Sequence, residues 1–65
     1  MPDKVRMLKL MLKRKEAGLT QGELAKRVGL KRMTIYNYEA GIRKPTADKL
    51  KQIANVLGCS LDDLI

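Results

Sequence analysis

The chain has 65 residues, with one cysteine, no histidine and a formal net charge of +7. A single cysteine excludes an internal disulfide, and the lack of histidine excludes a Cys/His zinc site, so we expect no metal and no cofactor. The length suits one domain, which we expect to span 1–65, close to the lower limit for a core without disulfides or metals.

The first predicted helix spans 3–17, with Asp3 as its candidate N-cap and Gly18 as its C-terminal stop. On a helical wheel it has two apolar stripes. The stripe expected to face the core consists of Met7, Leu10, Met11, Arg14 and Ala17. The opposite stripe consists of Val5, Leu8 and Leu12. This second stripe has two interpretations: it packs against the C-terminal turn at 61–65, or it forms an exposed patch that binds a partner or a second copy.

The segment 21–40 is predicted to form two short helices, at about 21–28 and 32–40, joined by a tight turn. The residues expected to face the interior are Leu24, Ala25 and Val28 in the first helix and Ile35 and Tyr38 in the second. Gly29 follows the last apolar residue, where a helix end often needs a left-handed residue. This pattern indicates a helix-turn-helix, the unit that lays its second helix in the major groove of duplex DNA.

The remaining predicted helices lie after Pro45. One spans 47–57, with Thr46 as N-cap and Gly58 as stop, and its inward residues are Leu50, Ile53, Ala54 and Leu57. A short last helix starts at Ser60, where Ser60 and Asp63 resemble a capping pair. No segment alternates with a period of two, which argues against a sheet. The predicted fold class is therefore all-α.

The charge is concentrated in the first two thirds of the chain. Residues 1–44 contain twelve Lys and Arg against four Asp and Glu, whereas residues 45–65 contain two against three. A one-sided positive field suits a polyanionic partner. We expect no enzymatic activity, because the chain has no nucleophile–base pair. Cations interrupt the only apolar stretch, so we expect no membrane span and a cytoplasmic location. We expect Cys59 to be a small buried residue, because free cysteine behaves as a small hydrophobic side chain.

These segments together resemble the lambda-repressor-like, or Cro/repressor (XRE), family of DNA-binding domains. The resemblance covers about 14–64. Besides the helix-turn-helix, its motifs are Gly18-Leu19-Thr20-Gln21, Tyr38-Glu39-Ala40-Gly41, Lys44-Pro45-Thr46 and Leu57-Gly58-Cys59-Ser60-Leu61. The resemblance implies a compact bundle of five helices that binds duplex DNA sequence-specifically, usually as a homodimer on a palindromic operator. It also implies a transcriptional regulator, most often a repressor, with no evident small-molecule ligand.

A recognition helix offers to base edges the residues at its N-terminal end and on its solvent face. Here the candidates for base contact are Lys31, Arg32, Met33, Tyr36 and Asn37. Lys31 and Arg32 suit guanine, Asn37 suits adenine, and Met33 suits the thymine methyl group. The alternative treats all five as an ordinary solvated helix face. Lys31 departs from the family, which prefers serine or threonine as the cap of this helix.

Phosphate contacts fix the register of a protein on DNA rather than the sequence it reads. The candidates are Gln21, by resemblance and by its place at a helix N-terminus, and then Thr34, Arg43 and Lys44. In similar proteins the positions of Arg14 and Glu39 form a buried ion pair that ties two helices together. That role is structural.

Two other functions compete with a transcriptional regulator. The first is a module for a protein partner, such as an antitoxin, in which the stripe of Val5, Leu8 and Leu12 binds the partner and DNA binding is autoregulatory. The C-terminal helix is the other candidate surface for a homodimer. The second is nonspecific binding of RNA or an anionic membrane through the basic first helix. We rank this last, because the chain has only two tyrosines for stacking on bases.

Overall fold

A computed structural model describes residues 6–65. Its elements are α1 (Leu8–Glu16), α2 (Gln21–Arg27), α3 (Arg32–Ala40), α4 (Ala47–Leu57) and a 3-10 turn (Leu61–Asp63). Residues 6–65 contain no strand, and the all-α prediction is confirmed. The expected count of five helices is wrong, because only one 3-10 turn follows α4. Its hydrogen bonds join residues three apart, from Asp63 N–H to Ser60 O at 3.1 Å and from Leu64 N–H to Leu61 O at 3.0 Å.

The start of the first helix also differs from the prediction. The helix begins at Leu8, and Met7, whose φ is −90° and ψ 71°, occupies the N-cap position expected for Asp3. Asp3 and Val5 themselves lie outside the described residues. The Met7 N–H donates to the carbonyl oxygen of Glu39 at 3.1 Å. This bond holds the chain in a non-helical conformation and ties it to the end of α3.

Side-chain caps fix the starts of α2 and α4. Thr20 Oγ1 accepts the Glu23 N–H at 3.1 Å, and the Thr20 N–H donates to the Glu23 carboxylate at 2.9 Å. The bond from the Thr20 N–H is the main reason that the pKa of the Glu23 carboxyl lies below its ordinary value, and the bond with the Thr20 hydroxyl is the second reason. The sequence analysis missed this capping box, although the spacing of Thr20 and Glu23 is its signature. The predicted cap of α4 is confirmed, since Thr46 Oγ1 accepts the Lys49 N–H at 3.2 Å.

Every α-helix ends in the same left-handed glycine turn, at Gly18, Gly29, Gly41 and Gly58. At the end of α2, Gly29 has a φ of 71°, its N–H donates to Lys26 O at 3.3 Å, and the Leu30 N–H donates to Ala25 O at 2.8 Å. This is the Schellman arrangement, which satisfies helix-end carbonyls and reverses the chain. The turn between α2 and α3 is thus set by one glycine, as predicted.

Replacing Gly29 by alanine is expected to lower the free energy of unfolding by about 1–2 kcal/mol, the cost of a left-handed conformation for a residue with a Cβ. The Cβ itself meets nothing within 4 Å, so no clash adds to this cost. Gly22→Ala is the matched control, because Gly22 is helical and its Cβ would lie at an ordinary 3.9 Å from Arg32 Cδ. Urea denaturation of both variants is the measurement, and equal losses would contradict the prediction.

The core lies where α2 and α3 pack on each other and on α1, α4 and the 3-10 turn. Its buried apolar residues are Leu10, Leu24, Ala25, Val28, Ile35, Tyr38, Ile53, Ala54 and Leu64. The inward faces predicted for the helix-turn-helix are confirmed. Cys59 is only partly buried against this core, and that burial raises the pKa of its thiol. Across residues 6–65, none of the helices is long and apolar enough to cross a bilayer.

The described part of the second stripe of α1, Leu8 and Leu12, is exposed. Leu8 is 56% exposed and Leu12 is 55% exposed, so the interpretation that they pack against the C-terminal turn is wrong. The residue of α1 that is fully buried instead is Leu10, on the first stripe. On that first stripe Arg14 is also buried, whereas Ala17 is exposed.

Candidate nucleic-acid interface

Helix α3 buries one face and leaves the other open. Ile35, Tyr38 and Glu39 are buried. The exposed residues are Lys31 and Arg32, at the N-terminal end of the helix, and Met33 and Tyr36 further along it, which are 55% and 45% exposed. Four of the five residues predicted to contact bases are therefore exposed, two of them at the N-terminal end of α3. The fifth, Asn37, is half-buried, and its backbone oxygen accepts N–H bonds from the following loop.

The N-terminus of α3 has no side-chain cap. Lys31 occupies the N-cap position in an extended conformation, and its side chain makes no cap hydrogen bond. No acidic residue lies in the first turn either. The positive end of the helix dipole and the cations at Lys31 and Arg32 therefore add up at one place, where an anion is favoured.

The buried ion pair expected from the resemblance is present. Arg14 Nε donates to Glu39 Oε2 at 2.6 Å and Arg14 Nη2 donates to Glu39 Oε1 at 3.1 Å, so the pair is bidentate. The two side chains are 8% and 4% exposed. Arg14 Nη1 also donates to Leu19 O at 2.9 Å. These bonds join α1, the loop before α2 and the end of α3, and so fix how α3 is presented.

Gln21 extends this cluster to the exposed end of α3. Its Nε2 donates to Glu39 Oε1 at 3.0 Å, and its Oε1 accepts from Arg32 Nη1 at 3.4 Å. The side chain predicted to contact a phosphate thus also links the buried carboxylate to the predicted guanine reader. The sequence analysis missed this second role, because 11 and 18 residues separate Gln21 from its two partners.

The other predicted phosphate contacts lie in the first turn of α3 and in the loop after it. Thr34 is half-buried in the first turn, and Arg43 and Lys44 are exposed in the loop that follows α3. That loop folds back on the helix, because the Ile42 and Arg43 N–H groups both donate to Asn37 O, at 2.9 and 3.2 Å. The structure therefore places cations at both ends of the exposed surface of α3.

These features define the class of protein: a helix-turn-helix domain, in which α2 and α3 meet at the Gly29 turn and α3 offers a polar, basic face. The model of the helix-turn-helix family matches residues 10–64. The chain therefore belongs to the helix-turn-helix family, and the predicted membership of its lambda-repressor-like, or Cro/repressor, group is confirmed.

Comparisons with individual proteins agree with this assignment. The chain is 51% identical over 45 residues to an uncharacterized HTH-type transcriptional regulator of Methanothermobacter thermautotrophicus, and the match covers 69% of this chain and 65% of that protein. It is 40% identical over 50 residues to a protein of Aeropyrum pernix, a match that covers 77% of this chain but 15% of that protein. The chain thus spans less than two thirds of the length of these relatives.

A solved structure shares the whole architecture. The restriction-modification controller protein C.AhdI from Aeromonas hydrophila superposes with a TM-score of 0.82 at 28% sequence identity. The similarity covers 88% of this chain and 83% of C.AhdI. The fold of this chain is therefore similar to that of C.AhdI.

Proposed function

We propose that this domain binds duplex DNA sequence-specifically and regulates transcription, by inserting α3 into the major groove. The observation that carries the proposal is that α3 buries one face, anchored by Glu39, and exposes Met33 and Tyr36 along the helix and the cations Lys31 and Arg32 at its N-terminal end. The names of the relatives, which are regulators, support it.

Within this proposal, the exposed side chains of α3 have distinct roles. Arg32, at the first position of the helix, donates two hydrogen bonds to guanine N7 and O6, and Lys31 donates one. Met33 lies against a thymine methyl group. Tyr36 is far enough out to contact a sugar or a phosphate. Asn37, which is half-buried, reads adenine only at the edge of the contact.

The contacts that place α3 in the major groove of DNA come from residues near both ends of the helix. Arg43 and Lys44 neutralise phosphates on one side, and on the other side the Thr34 hydroxyl and Gln21, at the start of α2, donate hydrogen bonds to phosphate oxygens. Since one recognition helix covers only a few base pairs, we propose that two copies bind a palindromic site. Occupying such an operator blocks transcription, which makes repression the proposed outcome.

Selection of bound sites from a random duplex pool tests this function. We expect a palindromic consensus, and an affinity for it well above that for a scrambled duplex of equal composition. With about four to six phosphates neutralised, log K against log salt concentration should have a slope of about −4 to −5. Equal affinity for the selected and scrambled duplexes would reject sequence-specific binding, even if the salt dependence were as steep as expected.

A further inference from the structure

A groove of about 810 Å³ lies beside the DNA-binding surface. Its walls are residues 6–9, which include the first residues of α1, the loop after α3 at 41–45, and the C-terminal pair Leu64 and Ile65. Leu50 of α4 also lines it. Apolar atoms make up most of the lining. This groove uses Leu8 of the exposed stripe on α1, and nothing in the proposed reading of DNA requires its apolar walls.

The walls of the groove are open rather than enclosing. Leu8 is 56%, Ile42 51% and Ile65 66% exposed. A small-molecule site buries most of its ligand, which walls this exposed do not achieve. A helix laid along the groove does bury them, by inserting apolar side chains spaced at i, i+3, i+4 and i+7. Leu12, one turn beyond Leu8 and 55% exposed, extends the same apolar surface along α1.

The charges around the groove select the kind of helix. The lining includes four cations, Arg6, Lys9, Arg43 and Lys44, and none of the lining residues is acidic. A second copy of the chain, at a net charge of +7, would bring the same cations against one another across a symmetric contact. An acidic helix pairs with them instead, so the charges favour its association and disfavour self-association through this groove.

The geometry points to this groove as the docking site for an acidic amphipathic helix of a partner protein. The partner's apolar stripe contacts Leu8, Ile42 and Ile65, and its carboxylates pair with the cations of the rim. Because Arg43 and Lys44 are also proposed phosphate contacts, the groove lies where an acidic partner and DNA meet the same cations. The docking itself does not depend on DNA binding and is tested without DNA.

The probe is a fluorescein-labelled synthetic helix with leucines at i, i+3, i+4 and i+7 and glutamates on its other face. We expect saturable binding by fluorescence anisotropy, with amide chemical shift changes confined to 6–12, 41–44, Leu50 and 64–65. Ile42→Glu should weaken binding by about tenfold or more, as expected for a central apolar contact. Met33→Glu, an identical charge change at a residue 55% exposed outside the groove, is the matched control and should leave the affinity within about threefold.

Several results would overturn the proposal. If Ile42→Glu and Met33→Glu weakened the affinity for the peptide equally, the binding would be a general charge effect rather than docking in the groove. The same affinity for a peptide with scrambled leucines would remove the role of the groove. The proposal would also fail if the acidic peptide did not bind and the protein self-associated in a way that Ile42→Glu abolishes. A second copy would then be the occupant of the groove.

Discussion

Replacing Arg14 by methionine is expected to lower the free energy of unfolding by about 3–5 kcal/mol. Glu39 is then left as a buried charge whose remaining described side-chain donor is Gln21 Nε2, at 3.0 Å, and Leu19 O loses the Arg14 N–H. A domain of this length has a total stability of about 3–10 kcal/mol. We therefore expect the variant to be largely unfolded at moderate urea concentrations, measured by circular dichroism against the unchanged protein.

The double variant Arg14→Met with Glu39→Met separates the loss of the pair from the cost of one stranded charge. Replacing both partners of a buried ion pair by apolar groups is often close to neutral. Recovery should be incomplete here, because Gln21 Nε2 and Leu19 O both lose their partners. If the double variant is no more stable than Arg14→Met, the stranded carboxylate is not the cause of the loss.

Arg32→Ala is expected to lower the affinity for a selected DNA site by about 1–3 kcal/mol, which corresponds to about 5- to 150-fold. Arg32 is exposed, and its one described protein partner is Gln21 Oε1 at 3.4 Å, so the variant should fold normally. The loss should fall on one base pair. Competition with duplexes substituted at each position should show that selectivity is relaxed at that pair alone.

Lys51→Ala is the control for the loss of one positive charge. Lys51 is exposed on α4, outside the helix-turn-helix. Its replacement should weaken selected and scrambled duplexes by the same small factor, because a delocalised charge effect carries no sequence information. An Arg32→Ala variant that behaves in the same way would show that Arg32 contacts phosphate rather than a base.

Much of this fold could be predicted because its signals are local. The glycine after each helix, the Thr46 cap and the apolar spacing of Leu24, Ala25 and Val28 act within a few residues along the chain. For the same reason α4 was predicted with its observed bounds. The open face of α3 follows from burial of Ile35 and Tyr38, which their spacing already indicates.

What the sequence did not reveal depends on contacts between distant segments. The late start of α1 follows from the Met7 bond to Glu39 O, across 32 positions of the chain. The two-sided hydrogen bonding of Gln21 depends on how α2 meets α3. The exposure of Leu8 and Leu12 depends on whether the distant C-terminal turn covers the second stripe of α1. Helical periodicity within α1 does not show this.

The repeated Schellman turns bear on how rapidly the chain folds. Each helix end is closed by bonds that reach back three or five residues, so the direction of every connection is set before distant parts meet. Chains dominated by such local closure fold quickly, because little loop entropy opposes each step. The costly remaining events are the long-range closures, among them the meeting of Arg14 with Glu39, 25 residues away, and of Met7 with the same residue. The orientation of α3 is thus completed only when these long loops close.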